Sequence, residues 1–460
     1  MLTSIVIVTL NNLALTQRCL HSIRLYTDAP YEIIAVDNGS TDGTVAWLSG
    51  QTDIRLIANG DNRGFAAACN QGAAVAAGEQ ILLLNNDTVV SWRWLSQLLA
   101  AMRDDDRVGI VGPKSNQVLR MQLVEAAFPS EDDIHRFSES FNRRQPSKWQ
   151  EACAISGFCM LVRRTVWNSL GGLDEAYGIG GFEDIDFGYQ ALKAGFALRI
   201  AGDTFVYHEG SRSFAANALD IHAIGGVNRR LFLRKWGFNP ERLFFAELPF
   251  LPGRHAHAHP HHMPAAQEIP NGWYARVQNG GVYRIENGSK RPVASLDTLL
   301  RLKVPPERIA SVPLSSLRHL PDGVPLNANV FPHGYPDVYL ARDPAGGMHL
   351  ISRGIRYPIG SEAAFSALGY RWDEAVSLTY PQIVSIVLGW PVTGNVWEEH
   401  ELIDYRLYRG PDGGLYYGEG QRLRAVPDEG ALRRYGLGAL DAVPLPAELF
   451  CRIPRGFGLP

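Results

Sequence analysis

Short apolar runs alternate with helix-forming segments along the amino-terminal part of this chain. The runs are Ser4–Leu10, Tyr31–Val36, Ile54–Ala58 and Gln80–Leu84. A continuous apolar run is typical of a strand that is covered on both faces, as in a parallel sheet between layers of helices. The alternation therefore predicts a doubly wound α/β domain with a largely parallel sheet.

A polar loop follows each of three predicted strands. The loops contain Asp37, Asn62 and Asp87. In open α/β sheets, ligands bind outside the carboxyl ends of the strands, so we expect the three loops to share one edge. The phosphate-loop pattern GxxxxGK[ST] is missing, and no GxGxxG follows the first strand. A mononucleotide kinase and an ordinary dinucleotide dehydrogenase are therefore both disfavoured.

Asp87 belongs to the triplet Asn85-Asn86-Asp87, which comes directly after three leucines of the last predicted strand. A carboxylate at such an edge can hold a hard cation, and that cation can clamp a diphosphate. We therefore predict Asp87 as a ligand of Mg²⁺ or Mn²⁺. The alternative is that the triplet only caps the helix that starts near Trp92, because Asn and Asp are common caps and turn formers.

A second acidic cluster follows the glycine pair Gly180-Gly181. It begins with Glu183 and Asp184, and the apolar spacing beyond it predicts a helix that starts at these acids. Acids at a helix amino terminus often only complement the helix dipole. A general base, in contrast, needs an ionised carboxylate that is aimed into a cleft. The residues alone leave both interpretations open.

Length, charge and cysteine usage narrow the class of protein. A chain of 460 residues is expected to form two or three domains. Its net charge of -3 gives no electrostatic case for a nucleic-acid partner. The five scattered cysteines lack paired CxxC spacing, which argues against a disulfide framework and favours a reducing compartment. The first residues are typical of a strand rather than a signal peptide, and we expect a cytoplasmic protein.

The ordered motifs resemble those of the family 2 glycosyltransferases of the GT-A fold, and most closely their bacterial rhamnosyltransferase-like members. The resemblance runs from the amino terminus to about Trp236. The segments that carry it are Ser4–Thr9, Val36–Gly43, Asn62–Phe65 with Asn70–Gly72, and Leu84–Asp87. It implies transfer of a sugar from a nucleotide-diphosphate donor to an acceptor hydroxyl, with a divalent metal and with inversion at the anomeric carbon.

The resemblance also implies roles for individual residues. Asp37 would bond the base, Thr9 would lie beside the nucleotide, and Arg63 would lie near the base or phosphate. The further candidates for nucleotide binding are Asn62, Asn85 and Asn86. Asp87 matches the last acid of the DxD metal motif, whereas Asn85 stands where many members have the first Asp. That departure removes one charge from the predicted metal site.

Two further assignments come from the same resemblance. Glu183-Asp184 resembles the ED motif, whose acid deprotonates the acceptor hydroxyl. Asp184 is the first choice for this general base and Glu183 the second. Some relatives use a histidine at the place of His208 as an extra metal ligand, so His208 is predicted to join Asp87.

The resemblance leaves the substrates open. The donor is expected to be linked to UDP or dTDP, and the acceptor to be a saccharide or glycoconjugate, with a lipid-linked acceptor and peripheral attachment at the inner face of the membrane left open. The expected setting is bacterial polysaccharide or glycoconjugate synthesis. The alternative is a carbohydrate-binding or scaffold protein with a decayed transferase domain, because Asn85 replaces an expected acid.

The remaining chain divides into a polar insertion, a linker and a repeat region. Residues 117–150 are predicted to be polar and irregular. The predicted transferase domain covers 1–248, and the Pro- and His-rich segment 249–271 is a predicted linker. From 272 to 460 a hairpin-plus-helix pattern recurs with a period near 66 residues, which predicts an α+β accessory domain of three stacked repeats. A binding or assembly role is expected there, with homo-oligomerisation left open.

Overall fold

The computed structural model describes residues 2–210, 221–245, 270–277, 280–393, 396–399 and 401–459. The chain forms two compact domains. The amino-terminal domain comprises Met1–Phe232 and Pro240–Ala258, and the carboxy-terminal domain comprises Leu233–Asn239 and His259–Pro460. The predicted linker at 249–271 lies outside the described residues except for Pro270 and Asn271. The domain boundaries drawn from the sequence stay predictions.

The amino-terminal domain is built on a mixed sheet of eight strands. The strands of this domain are β1 (Thr3–Thr9), β2 (Tyr31–Asp37), β3 (Ile54–Ala58), β4 (Gln80–Asn85), β5 (Thr88–Val89), β6 (Val108–Lys114), β7 (Trp149–Ala152), β8 (Cys159–Arg163), β9 (Ala197–Phe205) and β10 (Tyr207–His208). The order in the main sheet is β3-β2-β1-β4-β8-β6-β9-β7. Strands β3, β2, β1 and β4 are parallel, and β8 runs antiparallel to both of its neighbours. The predicted α/β fold is confirmed.

Helices cover both faces of this sheet. The helices that begin in this domain are α1 (Leu13–Tyr26), α2 (Thr44–Ser49), α3 (Phe65–Val75), α4 (Trp94–Arg103), α5 (Glu131–Phe141), α6 (Arg164–Leu170), α7 (Glu183–Lys193), α8 (Ile221–Trp236) and α9 (Glu241–Phe245). Ile5, Val6 and Ile7 on β1 are all buried, which is why the strand is apolar at consecutive positions. A Cβ on Gly72 would lie 2.4 Å from Val6 Cγ1, so this glycine lets α3 pack closely on the sheet.

Helix α5 corrects one expectation. The segment 117–150 was predicted to be irregular, and that prediction is wrong for 131–141. Ser130 caps α5 and forms a reciprocal capping box with Asp133. The apolar face of the helix is buried against an aromatic cluster that includes Phe205. Of the helices that the structure describes, none is long and apolar enough to cross a bilayer.

The carboxy-terminal domain contains three sheets with a common topology. Repeat 1 has β11 (Trp273–Val277), β12 (Val282–Glu286), β13 (Ser289–Pro292), α10 (Leu296–Arg301) and β14 (Ile309–Val312). Repeat 2 has β15 (Val338–Arg342), β16 (Met348–Ser352), β17 (Ile355–Pro358), α11 (Glu362–Ala367), β18 (Val376–Ser377), α12 (Tyr380–Ser385), β19 (Val387–Leu388) and α13 (Val396–Glu399). Repeat 3 has β20 (Leu407–Arg409), β21 (Leu415–Glu419), β22 (Arg422–Ala425), α14 (Glu429–Arg434), β23 (Val443–Pro444) and α15 (Ala447–Arg452). In each repeat, three antiparallel strands precede a helix and a strand that returns parallel to the first.

Hydrogen bonds join the second hairpin of each repeat to the start of another repeat. Asn287 Nδ2 in repeat 1 donates to Asp337 Oδ2 at 2.5 Å, just before β15. Arg353 in repeat 2 bonds to Asp404, just before repeat 3. Glu419 Oε1 in repeat 3 accepts from the N–H of Asn271 at 3.0 Å, just before β11. Repeat 1 therefore contacts repeat 2, repeat 2 contacts repeat 3, and repeat 3 contacts repeat 1. The three repeats form a closed ring.

Candidate active site

Asp87 and His208 come together at the carboxyl edge of β4. The short strands β5 and β10 pair antiparallel, with His208 opposite Thr88, and this pairing places His208 beside the acid. His208 Nε2 lies 3.2 Å from Asp87 Oδ1. Asp87 is only 4% exposed, and within the described residues its Oδ1 accepts no well-aligned hydrogen bond. A buried carboxylate oxygen therefore faces an imidazole nitrogen.

The neighbours of His208 fix which ring nitrogen faces Asp87. His208 Nδ1 lies 2.8 Å from the carbonyl oxygen of Gln117, to which it donates. In the neutral imidazole this leaves the lone pair on Nε2, the nitrogen that faces Asp87. The Phe158 ring stacks on the imidazole, with ring centroids 4.9 Å apart. Burial alone would lower the pKa of His208, but the Asp87 carboxylate and the Gln117 carbonyl raise it above its ordinary value.

This pair fits a divalent cation. Carboxylate oxygen and imidazole nitrogen are both suitable ligands for Mn²⁺, and a cation between them would satisfy the unpaired Asp87 Oδ1. In the described ranges, no group of three or more His, Cys, Asp or Glu side chains converges on one point. Protein ligands would therefore fill only part of the coordination sphere and leave room for diphosphate oxygens and water.

Asp184 lies at the amino terminus of α7, after a turn with unusual backbone angles. Gly180, Gly181 and Phe182 have φ values of +145°, +99° and +75°. A positive φ at a non-glycine residue such as Phe182 costs energy and is found preferentially at functional sites. Asn228 on α8 donates to the carbonyls of Gly180 and Gly181, both at 3.0 Å, and so holds this turn.

Two backbone N–H groups orient the Asp184 carboxylate. The N–H of Gly157 donates to Oδ2 at 2.7 Å, and the N–H of Ile185 donates to Oδ1 at 2.8 Å. A Cβ on Gly157 would lie 3.0 Å from Asp184 Cβ, so the close approach depends on the glycine. Hydrogen bonds from backbone N–H groups favour the ionised form of a carboxyl group, which is the form that a general base requires.

Glu183 has a different environment from its neighbour Asp184. Its side chain is buried, and its Oε2 has no hydrogen-bond partner among the described residues. Burial raises the pKa of Glu183, and the charge of Asp184 raises it further. Burial also raises the pKa of Asp184, but the bonds from Gly157 and Ile185 oppose the rise. Of the two acids, Glu183 therefore has the environment that more strongly favours the protonated form.

The segment Gly157-Phe158 connects both parts of the site. Gly157 bonds to Asp184, while the carbonyl of Phe158 accepts a hydrogen bond from the N–H of Asn85 at 2.8 Å. The Phe158 ring also contacts His208. The structure thus brings Asp184 and the Asp87–His208 pair to opposite ends of one short segment.

Sequence reasoning missed this segment and two residues that support the site. Asn228 holds the turn before Asp184, and Gln117 fixes the tautomer of His208. None of them stands in a pattern that distinguishes it locally. Asn85, which was predicted from the sequence, has its Nδ2 3.4 Å from His208 Nε2 and therefore lies beside the pair.

Asp37 and Thr9 lie at the ends of the adjacent strands β2 and β1. Both are fully buried, and Thr9 Oγ1 donates to Asp37 Oδ2 at 2.8 Å. Ser40 Oγ donates to the same oxygen, and the N–H groups of Gly39 and Ser40 donate to Oδ1 at 3.0 and 2.8 Å. The Asp37 carboxylate therefore shapes the loop after β2. Its predicted bond to a base stays a prediction.

The other predicted nucleotide-binding residues have distinct environments. Asn62 Oδ1 accepts from the N–H of Gly64 at 2.9 Å and so stabilises the loop after β3. The Arg63 side chain is 55% exposed and lies 3.7 Å from an oxygen of Asp61. Asn86 is buried, and its Nδ2 donates to Thr16 Oγ1 at 3.0 Å. Their contacts with a nucleotide stay predictions.

The raised pKa of Glu183 leads to a pH-dependent prediction of stability. A carboxyl group whose pKa is raised in the folded state stabilises the fold at low pH, and this contribution is lost as the pH rises above about 4.5. Glutamine does not ionise, so we expect Glu183→Gln to lack this pH-dependent loss of stability. The free energy of unfolding of the wild type should then fall relative to that of the variant by up to about 1.4 kcal/mol per pH unit. Urea unfolding of both proteins at a series of pH values above about 4.5 measures the difference in the free energy of unfolding. Parallel curves would show that Glu183 is ionised in the folded state.

Comparisons with known proteins agree with this fold. Residues 4–171 match the profile of Glycosyl transferase family 2. The N-acetylglucosaminyl-diphospho-decaprenol L-rhamnosyltransferase of Mycobacterium tuberculosis is 29% identical over 230 residues, which cover 43% of this chain and 72% of that protein. The hyaluronan synthase of Pasteurella multocida is 26% identical over 241 residues, which cover 45% of this chain but only 24% of the synthase.

Solved structures include similar chains. The mannosyltransferase of Pyrobaculum calidifontis, in complex with GDP-Man and Mn²⁺, is 20% identical with a TM-score of 0.34, and the match covers 47% of this chain and 64% of that one. The profile match places a family 2 glycosyltransferase domain at residues 4–171. The predicted family is confirmed.

Proposed function

We propose that this protein is an inverting, metal-dependent glycosyltransferase that moves a sugar from a nucleotide-diphosphate donor to an acceptor hydroxyl. The observation that carries the proposal is the arrangement on either side of Gly157-Phe158. One end contacts an oriented carboxylate, Asp184, and the other contacts the Asp87–His208 pair. A general base and a cation site are the two elements that a metal-assisted displacement at an anomeric carbon uses.

Asp87 and His208 would hold Mn²⁺ or Mg²⁺. When bound, the cation supplies positive charge that offsets the negative charge developing on the departing diphosphate. Asn85 lies beside the pair and carries no charge, so Asp87 supplies the carboxylate of the pair. The carbonyl of Gln117 keeps Nδ1 of His208 protonated, which leaves Nε2 available as a ligand.

Asp184 would act as the general base. It accepts the proton of the acceptor hydroxyl while that oxygen forms a bond to the anomeric carbon. The bond between this carbon and the diphosphate oxygen breaks on the opposite face, and the bonding electrons leave with the nucleoside diphosphate. Attack opposite to the leaving group inverts the anomeric configuration. The N–H groups of Gly157 and Ile185 favour the ionised form of the carboxylate and orient it before the reaction.

The relatives suggest the class of acceptor. One is named as a rhamnosyltransferase that acts on an N-acetylglucosaminyl-diphospho-decaprenol, and another as a hyaluronan synthase. We therefore propose a saccharide or glycoconjugate acceptor, which would be linked to a lipid if it is like that of the rhamnosyltransferase. The proposed donor is linked to UDP or dTDP. A cytoplasmic protein at the inner face of the membrane would meet both substrates.

Release of nucleoside diphosphate from a panel of UDP-, dTDP- and GDP-linked sugars tests the proposal. With Mn²⁺ present, we expect one donor class to be hydrolysed slowly even without acceptor, and EDTA to stop the release. The anomeric configuration of the product sugar, measured by NMR, is expected to be opposite to that of the donor. No release from any donor, with the fold intact, would favour a binding or scaffold protein with a decayed transferase domain.

A further inference from the structure

The carboxy-terminal domain contains a cavity of about 520 Å³ between repeats 1 and 2. Its walls come from the hairpin β12–β13, the hairpin β16–β17, and the segments 331–339 and 385–387. A volume of this size lies in the range of pockets that hold small organic ligands. The cavity is in a different domain from the transferase site and contains none of the residues assigned to catalysis.

Aromatic and apolar side chains form one side of the cavity. Phe331, Tyr335 and Tyr339 pack in series, with ring centroids 5.1 and 5.6 Å apart. Phe331 and Tyr339 are half-buried and so present ring surface to the cavity. Val324, which also lines the cavity, is 60% exposed. Aromatic rings and aliphatic groups of this kind pack well against the C–H faces of sugar rings.

Three polar side chains of the cavity have unused hydrogen-bonding capacity. In the described part of the chain, the Tyr339 hydroxyl and the His333 imidazole have no hydrogen-bond partner. Asp337 accepts from Asn287 with Oδ2, and its Oδ1 has no partner among the same residues. A hydroxyl, an imidazole and a carboxylate oxygen can bind sugar hydroxyl groups, which both donate and accept.

The charges around the cavity are paired internally. Arg291 donates to Glu286 at 2.5 Å, and Arg284 donates to the same carboxylate at 2.7 Å. Arg353 pairs with Asp404. Asp337, in contrast, lines the cavity with a carboxylate oxygen, Oδ1, that has no partner among the described residues. Its negative charge would repel an anion. The site is therefore matched to a ligand without negative charge.

We propose that this cavity binds a neutral saccharide, and that its ligand is a segment of the acceptor chain on which the transferase domain acts. The second part rests on the proposed function, because it takes the acceptor to be a saccharide. Sugar rings would stack on Phe331 and Tyr339, and sugar hydroxyls would bond to Asp337, Tyr339 and His333. The cavity would hold acceptor to the enzyme without taking part in the chemistry.

Binding of oligosaccharides to the full chain tests the proposal. The probes are neutral oligosaccharides of rhamnose, galactose, glucose or N-acetylglucosamine, and acidic oligosaccharides of hyaluronan. Saturation-transfer NMR is recorded without donor and with EDTA, so that no sugar transfer occurs. We expect a neutral probe to bind to the wild type and Val324→Glu to weaken it at least tenfold. Tyr339→Phe, which removes only a hydroxyl group, is expected to weaken it severalfold.

Leu296→Glu is the matched control, because Leu296 is 71% exposed in the same domain and does not line the cavity. This variant is expected to bind like the wild type. The proposal is overturned if no neutral probe binds, if both glutamate variants lose binding equally, or if only the acidic probes bind. Nucleoside diphosphate release is measured in parallel. Neutral-probe binding that Val324→Glu removes, in a protein that hydrolyses no donor, would support the cavity and contradict the proposed function.

Discussion

Asp184→Asn is expected to bind donor with near-normal affinity and to transfer sugar about 100- to 10,000-fold more slowly than the wild type. The amide can still accept the hydrogen bond from Gly157, so the turn should keep its shape. It cannot take a proton from the acceptor hydroxyl at neutral pH. Single-turnover transfer and calorimetric titration of the donor measure the two effects separately.

Glu183→Gln is the matched variant for this prediction. Glutamine has the size of glutamate and resembles the protonated form that burial favours at Glu183. We expect it to retain transfer activity far above that of Asp184→Asn. If Glu183→Gln is the inactive variant and Asp184→Asn turns over near the wild-type rate, the roles assigned to the two acids are reversed.

Asp87→Ala is expected to abolish the gain in nucleoside diphosphate affinity that Mn²⁺ gives the wild type. The substitution removes the carboxylate of the proposed cation site and leaves His208 as the other proposed ligand. Loss of an outer-shell partner typically weakens metal binding about 10- to 100-fold, and loss of a ligand should cost more. Calorimetric titration with and without Mn²⁺ measures the gain in each protein.

Two further variants control this prediction. Asp106→Ala removes the same charge from a fully exposed side chain and is expected to keep the metal-dependent gain. His208→Ala is expected to lose most of the Mn²⁺-dependent gain in nucleoside diphosphate affinity. This variant tests whether the imidazole is a metal ligand. Equal enhancement by Mn²⁺ in Asp87→Ala and in the wild type would remove Asp87 from the metal site.

The parallel part of the sheet could be predicted because its strands are buried on both faces. Burial makes β1, β2 and β4 continuously apolar, and the predicted runs match the observed bounds to within one or two residues. Asp87 could be singled out for a related reason, since it follows β4 where the chain leaves the sheet. His208 depended on the family resemblance, because a lone histidine carries little local information.

The parts that sequence reasoning missed depend on contacts between distant residues. The bonds from Gly157 to Asp184 and from Asn85 to Phe158 join residues that are far apart in the chain and leave no periodic signal. Helix α5, in contrast, had a local signal. Ser130 and Asp133 have the spacing of a capping box, but the surrounding charges obscured the apolar stripe that buries Ile134.

The carboxy-terminal repeats were predicted from recurring motifs, whereas the contact that closes the three sheets into a ring was not predicted. Closure depends on Glu419 of the last repeat bonding to Asn271 before the first, a contact between the two ends of the domain. Neither residue belongs to the repeated motif that was visible in the sequence. The cavity between repeats 1 and 2 likewise includes the segment 331–339, which lies outside the repeated strands and helices.

The position of the cation tests the central claim most directly. Crystals of the full chain with Mn²⁺ and the preferred nucleoside diphosphate should be measured at the manganese absorption edge. We predict one anomalous peak about 2.1 Å from both Asp87 Oδ1 and His208 Nε2, and in contact with the diphosphate oxygens. A bound diphosphate with no peak between these two side chains, or with the peak held by other residues, would contradict the account.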